Sequence, residues 1–204
     1  MDSISLDECL LKLSSEKLQR RQSQGLMLPV LINQGVNMAT ITLKGNPVHT
    51  TGELPKKGSS VPDFKLTRTD LSDVNLSLFA GKKKVLNIFP SVDTGTCAMS
   101  VRHFNKDAAH VKNTVIINIS ADLPFAQKRF CGAEGITNAE TVSTFRSTFA
   151  KDYGLQIQDG PMAGLCSRVV IVLDEQNKVI YTEQVTELVN EPNYDAAMGA
   201  LNNM

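Results

Sequence analysis

Four short apolar runs, Val85–Phe89, Val115–Ile119, Val169–Leu173 and Val179–Val185, limit what this chain can fold into more than any other feature. Each has strand length, is rich in β-branched residues and is bounded by polar or turn-forming residues, the pattern of strands buried in a sheet. Helical patterns lie between or after them, over about 97–111, 141–151 and 193–202. Asp174-Glu175-Gln176-Asn177-Lys178 reads as the turn of a hairpin joining the last two runs. Upstream, Ala39–Leu43 alternates, Lys44-Gly45-Asn46 supplies a turn and Pro47-Val48-His49 follows, which predicts another hairpin. Phe64–Thr67 reads as a further short strand. Strands alternating with helices and ending in a hairpin and a helix predict the α/β class, with a mixed central sheet flanked by helices.

With 204 residues, 42% of them apolar, the chain is long enough for one sizeable core and too short for two comfortable ones. Lys and Arg total 21 against 21 Asp and Glu, so no net field attracts nucleic acid or an anionic membrane. No stretch approaches the roughly 20 uncharged apolar residues of a membrane span. The first residues carry Asp2, Asp7, Glu8 and Lys12 and lack the apolar core of a secretory signal, which predicts a cytoplasmic protein. The division expected is an appended segment over 1–37 and a compact domain over 38–204. Ser5–Arg21 has the spacing of an amphipathic helix, and the segment reads either as an extension or as residues upstream of a true start at Met38.

The chemistry concentrates in Pro90-Ser91-Val92-Asp93-Thr94-Gly95-Thr96-Cys97, directly after the strand-like Val85–Phe89. Cys97 thereby falls in the first turn of a helix, where unpaired N–H groups and the positive end of the helix dipole favour an anion. The thiolate is the nucleophilic form of cysteine. Thr94, three residues earlier, is close enough for its hydroxyl to reach the sulfur, and a hydroxyl both donates and accepts. Pro90 fixes the backbone where the strand ends. Taken singly, Pro90 reads as a strand terminator and Thr94 as a helix cap; with Cys97 they read as a site. A cysteine that reduces peroxide also needs a positive charge to polarise the O–O bond. Arg168, at the start of the apolar run 169–173, is the candidate, its bland alternative being a surface arginine at a strand start. Arg102 falls off the face of Cys97 and is weaker, and His103 and His110 read as exposed or partly packed side chains.

Cysteines stand at 9, 97, 131 and 166, with no C-x-x-C and no paired-finger spacing, so a structural zinc site is not expected. Cys131 lies among Pro124, Gly132 and Gly135, which suggest a short helix between flexible joints. A sulfenic acid on Cys97 would condense with a second thiol to a disulfide. Cys131 is either that thiol or a packed helix cysteine. Cys166 precedes Arg168 and receives a mostly structural reading, and Cys9 lies outside the compact pattern.

From about Met38 onward, these residues resemble the bacterial thiol peroxidases, a branch of the atypical two-cysteine peroxiredoxins. The likeness is carried by Lys84-Val85-Leu86-Asn87-Ile88-Phe89-Pro90-Ser91, by Asp93-Thr94-Gly95 ahead of Cys97, and by Asp159-Gly160-Pro161. Its longest stretch runs from Ile119-Ser120-Ala121-Asp122-Leu123-Pro124-Phe125-Ala126-Gln127 through Arg129-Phe130-Cys131-Gly132. The Pro-x-x-x-Thr-x-x-Cys core is general to peroxiredoxins, whereas the run before Cys131 marks this branch. The resemblance implies a thioredoxin-like fold with an N-terminal β-hairpin, and a homodimer. It implies Cys97 as the peroxidatic cysteine, Cys131 as the resolving one in the same subunit, and Pro90, Thr94 and Arg168 as the other active-site residues. It further implies hydrogen peroxide and alkyl hydroperoxides as substrates, thioredoxin as reductant, and no metal, haem or flavin. Residues 1–37 and the cysteine at 166 depart from the family pattern. Two other functions use the same thiols: a thiol–disulfide oxidoreductase, disfavoured by threonine at 94 in place of a second cysteine, and a redox-sensing switch.

Overall fold

A computed structural model describes residues 38–202. The amphipathic pattern over Ser5–Arg21, the apolar stretch around Pro29 and Cys9 lie outside the described residues.

Seven strands form one mixed sheet. In chain order the elements are a hairpin of β1 (Thr40–Leu43) and β2 (Asn46–His49), then β3 (Leu66–Arg68), β4 (Asp73–Val74) and a 3-10 turn (Leu76–Phe79). β5 (Lys83–Ile88), α1 (Gly95–Ala108), β6 (Thr114–Ser120), α2 (Pro124–Glu134) and β7 (Glu140–Ser143) follow. The chain continues through α3 (Phe149–Asp152), β8 (Val169–Leu173), β9 (Val179–Gln184) and α4 (Tyr194–Ala200). The sheet order is β4-β3-β7-β6-β5-β8-β9, with β5, β6 and β7 parallel and the outer pairings antiparallel, while β1 and β2 form a separate two-stranded sheet. The mixed central sheet flanked by helices and the N-terminal β-hairpin expected from the resemblance are therefore present.

All five residues of β8 and five of the six of β5 are buried, because each strand is covered on both faces. Leu86, Ile88, Ile117, Ile119, Val169 and Ile171 face one core with Phe64, Phe149 and Tyr153; Val85, Ile116, Val170 and Val172 face another with Phe104 and Ala197. The four apolar runs are strands as predicted. The helix expected over 141–151 is not: Glu140–Ser143 is a strand, and only Phe149–Asp152 is helical. Thr141, Val142 and Ser143 are β-branched or small and find hydrogen-bonding partners on both sides, β6 and β3, so tertiary pairing overrides the helical spacing.

Two tethers hold the hairpin to the domain. His49 is bound through its backbone N–H (2.9 Å) and its ring Nδ1 (2.6 Å) to the Asp159 carboxylate. On the other side, Thr42 N–H donates to Thr186 O (2.7 Å) and Leu188 N–H to Thr42 O (2.8 Å). Between them the Glu187 carboxylate accepts from Lys44 N–H, Gly45 N–H and the Thr42 hydroxyl, each at 2.9 Å.

Candidate active site

The parallel strands β5 and β6 end side by side, and the loops leaving them meet there, where open α/β sheets place their sites. β5 delivers Phe89 and Pro90, both buried. Pro90 needs no partner for an N–H and sits where the ladder stops. The loop that follows is held by Asp122, just beyond β6. Its carboxylate accepts from Ser91 Oγ (2.6 Å), Val92 N–H (2.8 Å) and Ser120 Oγ (2.7 Å). From this anchored loop the chain enters α1 with Thr94 in the capping position and Cys97 in the first turn, fully buried.

Thr94 does not cap the helix with its side chain. Its Oγ1 lies 2.7 Å from Cys97 Sγ and 3.1 Å from Ser91 O. One hydroxyl proton serves one acceptor at a time: toward a thiolate it turns to the sulfur, and beside a thiol it can serve Ser91 O while the sulfur donates.

Arg168 reaches Cys97 through the register of the sheet. Ile88 pairs with Val169, so the residue before β8 stands beside the end of β5, where the Cys97 loop begins. Arg168 is only 3% exposed, which removes the surface alternative. Its Nη2 lies 3.4 Å from Cys97 Sγ, and Nε and Nη2 donate to Leu188 O at 3.1 and 3.0 Å. Nη1 is buried without a partner among the described residues. Because Leu188 and Glu187 are gripped by the β1–β2 hairpin, that hairpin sets the position of the carbonyl on which Arg168 rests.

The remaining sulfurs have different surroundings. Cys131 is half-buried on α2, and its thiol donates to Thr141 Oγ1 at 3.4 Å; burial pushes that thiol up from its ordinary range. It packs with Phe89, Val92, Cys97, Ala98, Val101 and Phe130 in one cluster. Cys97, Cys131 and Cys166 are free thiols. Cys166 belongs to the core on the other face of the sheet, where burial pushes its thiol up to about 12.

Arg102 turns away from Cys97 and makes a two-point ion pair with Glu134 at 2.7 and 2.8 Å. His103 stacks on Tyr194 with ring centres 3.9 Å apart, and His110 is exposed. Among the described residues no group of three or more His, Cys, Asp or Glu could hold a metal ion, and no helix is long and apolar enough to cross a membrane. Asp122, Ser91 and the Leu188 carbonyl were not legible as site components. The one available signal was an aspartate just past the end of an apolar parallel strand, inside the Ser120-Ala121-Asp122 run.

Known proteins resemble this chain in sequence and fold. The redoxin family model matches residues 56–198. A thiol peroxidase of Corynebacterium glutamicum is 53% identical over 165 residues, spanning 81% of this chain and 100% of its own length. Among solved structures, a peroxiredoxin-like protein from Aquifex aeolicus is 34% identical with a TM-score of 0.76, covering 81% of this chain and 98% of its own. A thiol peroxidase from Chromobacterium violaceum is 25% identical with a TM-score of 0.72, covering 80% and 95%. The buried cysteine in the first turn of α1 thus sits in a chain that belongs to the redoxin family, among the thiol peroxidases, enzymes that reduce peroxides with a thiol.

Proposed function

We propose that Cys97 is the peroxidatic cysteine and Cys131 the resolving cysteine of a thioredoxin-dependent peroxidase acting on hydrogen peroxide and alkyl hydroperoxides. The observation that carries this reading is the convergence of Thr94 Oγ1 and Arg168 Nη2 on Cys97 Sγ, with Arg168 Nη1 left without a partner among the described residues. The Cys97 thiolate attacks the terminal oxygen of R–O–O–H. The O–O bond breaks, the alkoxide takes up a proton and leaves as alcohol or water, and Cys97 becomes a sulfenic acid. Donors fixed before the reaction stabilise the charge that moves onto the leaving oxygen. Thr94 and Arg168 are those donors, and Pro90 keeps water from the sulfur.

The Cys131 thiol then displaces the sulfenic hydroxyl as water, forming a disulfide within the subunit. That bond requires the two α-carbons to come within about 7 Å. The α2 segment, bounded by Pro124 and by Gly135 in the left-handed conformation, unwinds to allow it. Thioredoxin reopens the disulfide by exchange, its own dithiol becoming the new disulfide. In this reading residues 38–204 are the catalytic domain, 1–37 an appended segment, the protein a cytoplasmic homodimer.

Peroxide consumption coupled to thioredoxin, thioredoxin reductase and NADPH tests the assignment. Turnover is expected to vanish in Cys97→Ser and to stop after one equivalent of peroxide in Cys131→Ser. Undiminished turnover in Cys97→Ser would refute it.

A further inference from the structure

Arg168 carries a buried charge and makes no ion pair among the described residues. The acceptors its guanidinium meets there are Cys97 Sγ and the carbonyl of Leu188. Two donors, Nε and Nη2, converge on that one oxygen at 3.1 and 3.0 Å. The sulfur is the atom that reacts, so the carbonyl is the fixed point from which the guanidinium is aimed.

Leu188 lies in the connection between β9 and α4, outside any strand or helix, and no sheet ladder holds its carbonyl. Three consecutive residues supply the anchorage instead, each by its own tie. The Glu187 carboxylate accepts from the Lys44 and Gly45 N–H groups and from the Thr42 hydroxyl, each at 2.9 Å. Leu188 donates its N–H to Thr42 O (2.8 Å) and packs its side chain with Ile41, Val48 and Ile157. Val189 O accepts from Thr96 Oγ1 at 3.1 Å, on the residue before Cys97. The hairpin turn suits a carboxylate. Lys44 (φ 52°) and Gly45 (φ 78°) are both left-handed, and the β1–β2 register ends at the Leu43–Asn46 pair, which leaves both turn N–H groups for an outside acceptor.

We infer that Glu187 is a positioning residue: by clasping the β1–β2 turn it fixes the Leu188 carbonyl, and through that carbonyl the place of the Arg168 guanidinium beside Cys97 Sγ. This rests on the reading of Arg168 as a donor in peroxide reduction. The hairpin thereby takes part in the chemistry without touching the peroxide. Thr96 closes the same clasp from the other side, tying the helix that carries Cys97 to the segment that carries the carbonyl.

The test is a double-mutant cycle on the full chain. The rate of Cys97 oxidation by hydrogen peroxide is measured by rapid mixing in wild type, Glu187→Ala, Arg168→Met and the double variant, with circular dichroism to establish the fold. Glu187→Ala is expected to slow oxidation about tenfold, less than the roughly hundredfold cost of a group displaced by a full ångström, because the Leu188 N–H and side chain still hold. In the Arg168→Met background the same substitution should cost less than about twofold, since the effect travels through a guanidinium that is no longer there. A merely structural role would slow both backgrounds by the same factor, and that result overturns the proposal. So does a Glu187→Ala rate within twofold of wild type, on the same scale. Should Glu187→Ala not fold, Thr96→Val asks the question at the other end of the clasp, with about a threefold loss expected in wild type and none in Arg168→Met. The Arg168→Met variant alone separates the two failures. If it oxidises like wild type, the donor reading of Arg168 falls and the clasp's kinetic role with it; if it is slow and Glu187→Ala is not, only the clasp is refuted.

Discussion

Arg168 holds Cys97 Sγ at 3.4 Å with Nη2 while the same guanidinium rests on Leu188 O through Nε and Nη2, leaving Nη1 without a partner among the described residues. A planar, permanently charged fork can do both at once, and a lysine cannot. Arg168→Lys is therefore expected to lower the rate of Cys97 oxidation by hydrogen peroxide about a hundredfold, the scale of one lost transition-state donor. Rapid-mixing kinetics on the purified variant checks this, with circular dichroism to establish that the fold is intact. A rate within twofold of wild type, on the same scale of about a hundredfold, would remove Arg168 from the chemistry.

The Thr94 hydroxyl lies 2.7 Å from the Cys97 sulfur, and its side chain does not cap the helix. Thr94→Val keeps the shape and loses the donor, and should slow peroxide reduction by about tenfold to a thousandfold. Thr94→Ser keeps the donor and should retain most of the rate. The serine rescue separates a hydrogen bond to sulfur from simple packing.

Glu187 links the hairpin to the segment under Arg168. Hydrogen bonds from Gly45, Lys44 and Thr42 lower its carboxyl to about 2, the Gly45 N–H contributing most. A carboxyl lowered in the folded state stabilises it above the ordinary carboxylate range, and that contribution fades as pH falls toward the folded-state value. Glu187→Gln should melt below wild type at pH 7, with the difference shrinking as pH drops from about 4.5 to about 2. Paired thermal melts across that window check the sign; a constant gap would mean that the ionised carboxylate is not what holds the turn.

Cys166 is fully buried, with its thiol pushed up to about 12. A buried thiol in apolar surroundings is inert. Under native conditions an alkylating reagent should label Cys131 well before Cys166, and Cys166→Ala should keep full peroxidase activity. Peptide mass spectrometry after timed alkylation measures the first, and coupled turnover the second.

Asp122 anchors the Cys97 loop by three hydrogen bonds, two of them to Ser91 and Val92. Asp122→Ala should leave Val92 N–H and two hydroxyls short of an acceptor, costing about 2–4 kcal/mol of stability. Chemical denaturation measures that loss. Peroxide reduction should fall with it, since a loosened loop no longer presents Cys97 to its donors.

Much of this molecule is written in local pattern. The runs at 85–89, 115–119, 169–173 and 179–185 are strands because burial on both faces demands uninterrupted apolar, β-branched sequence, and that demand is visible residue by residue. Cys97 at a helix start and Thr94 three residues before it are likewise local, since one turn of helix sets their separation. The stretch 141–151 misled for the complementary reason. Thr141–Ser143 becomes a strand because β6 and β3 offer it ladders on both sides, and no local spacing announces those partners.

Sequence alone determined the class of fold and the placing of Cys97 at a helix start with Thr94 three residues before it, because each follows from periodicities of a few residues. Tertiary structure decided which arginine meets the sulfur, and that Asp122 and Leu188 hold the parts in place. Arg168 and Cys97 are 71 residues apart in the chain and meet only because Val169 pairs with Ile88. Asn87, Asn118 and Thr141 likewise lie side by side only where three strands come into register, since hydrogen-bonded pairing, and not sequence proximity, sets which side chains share a face.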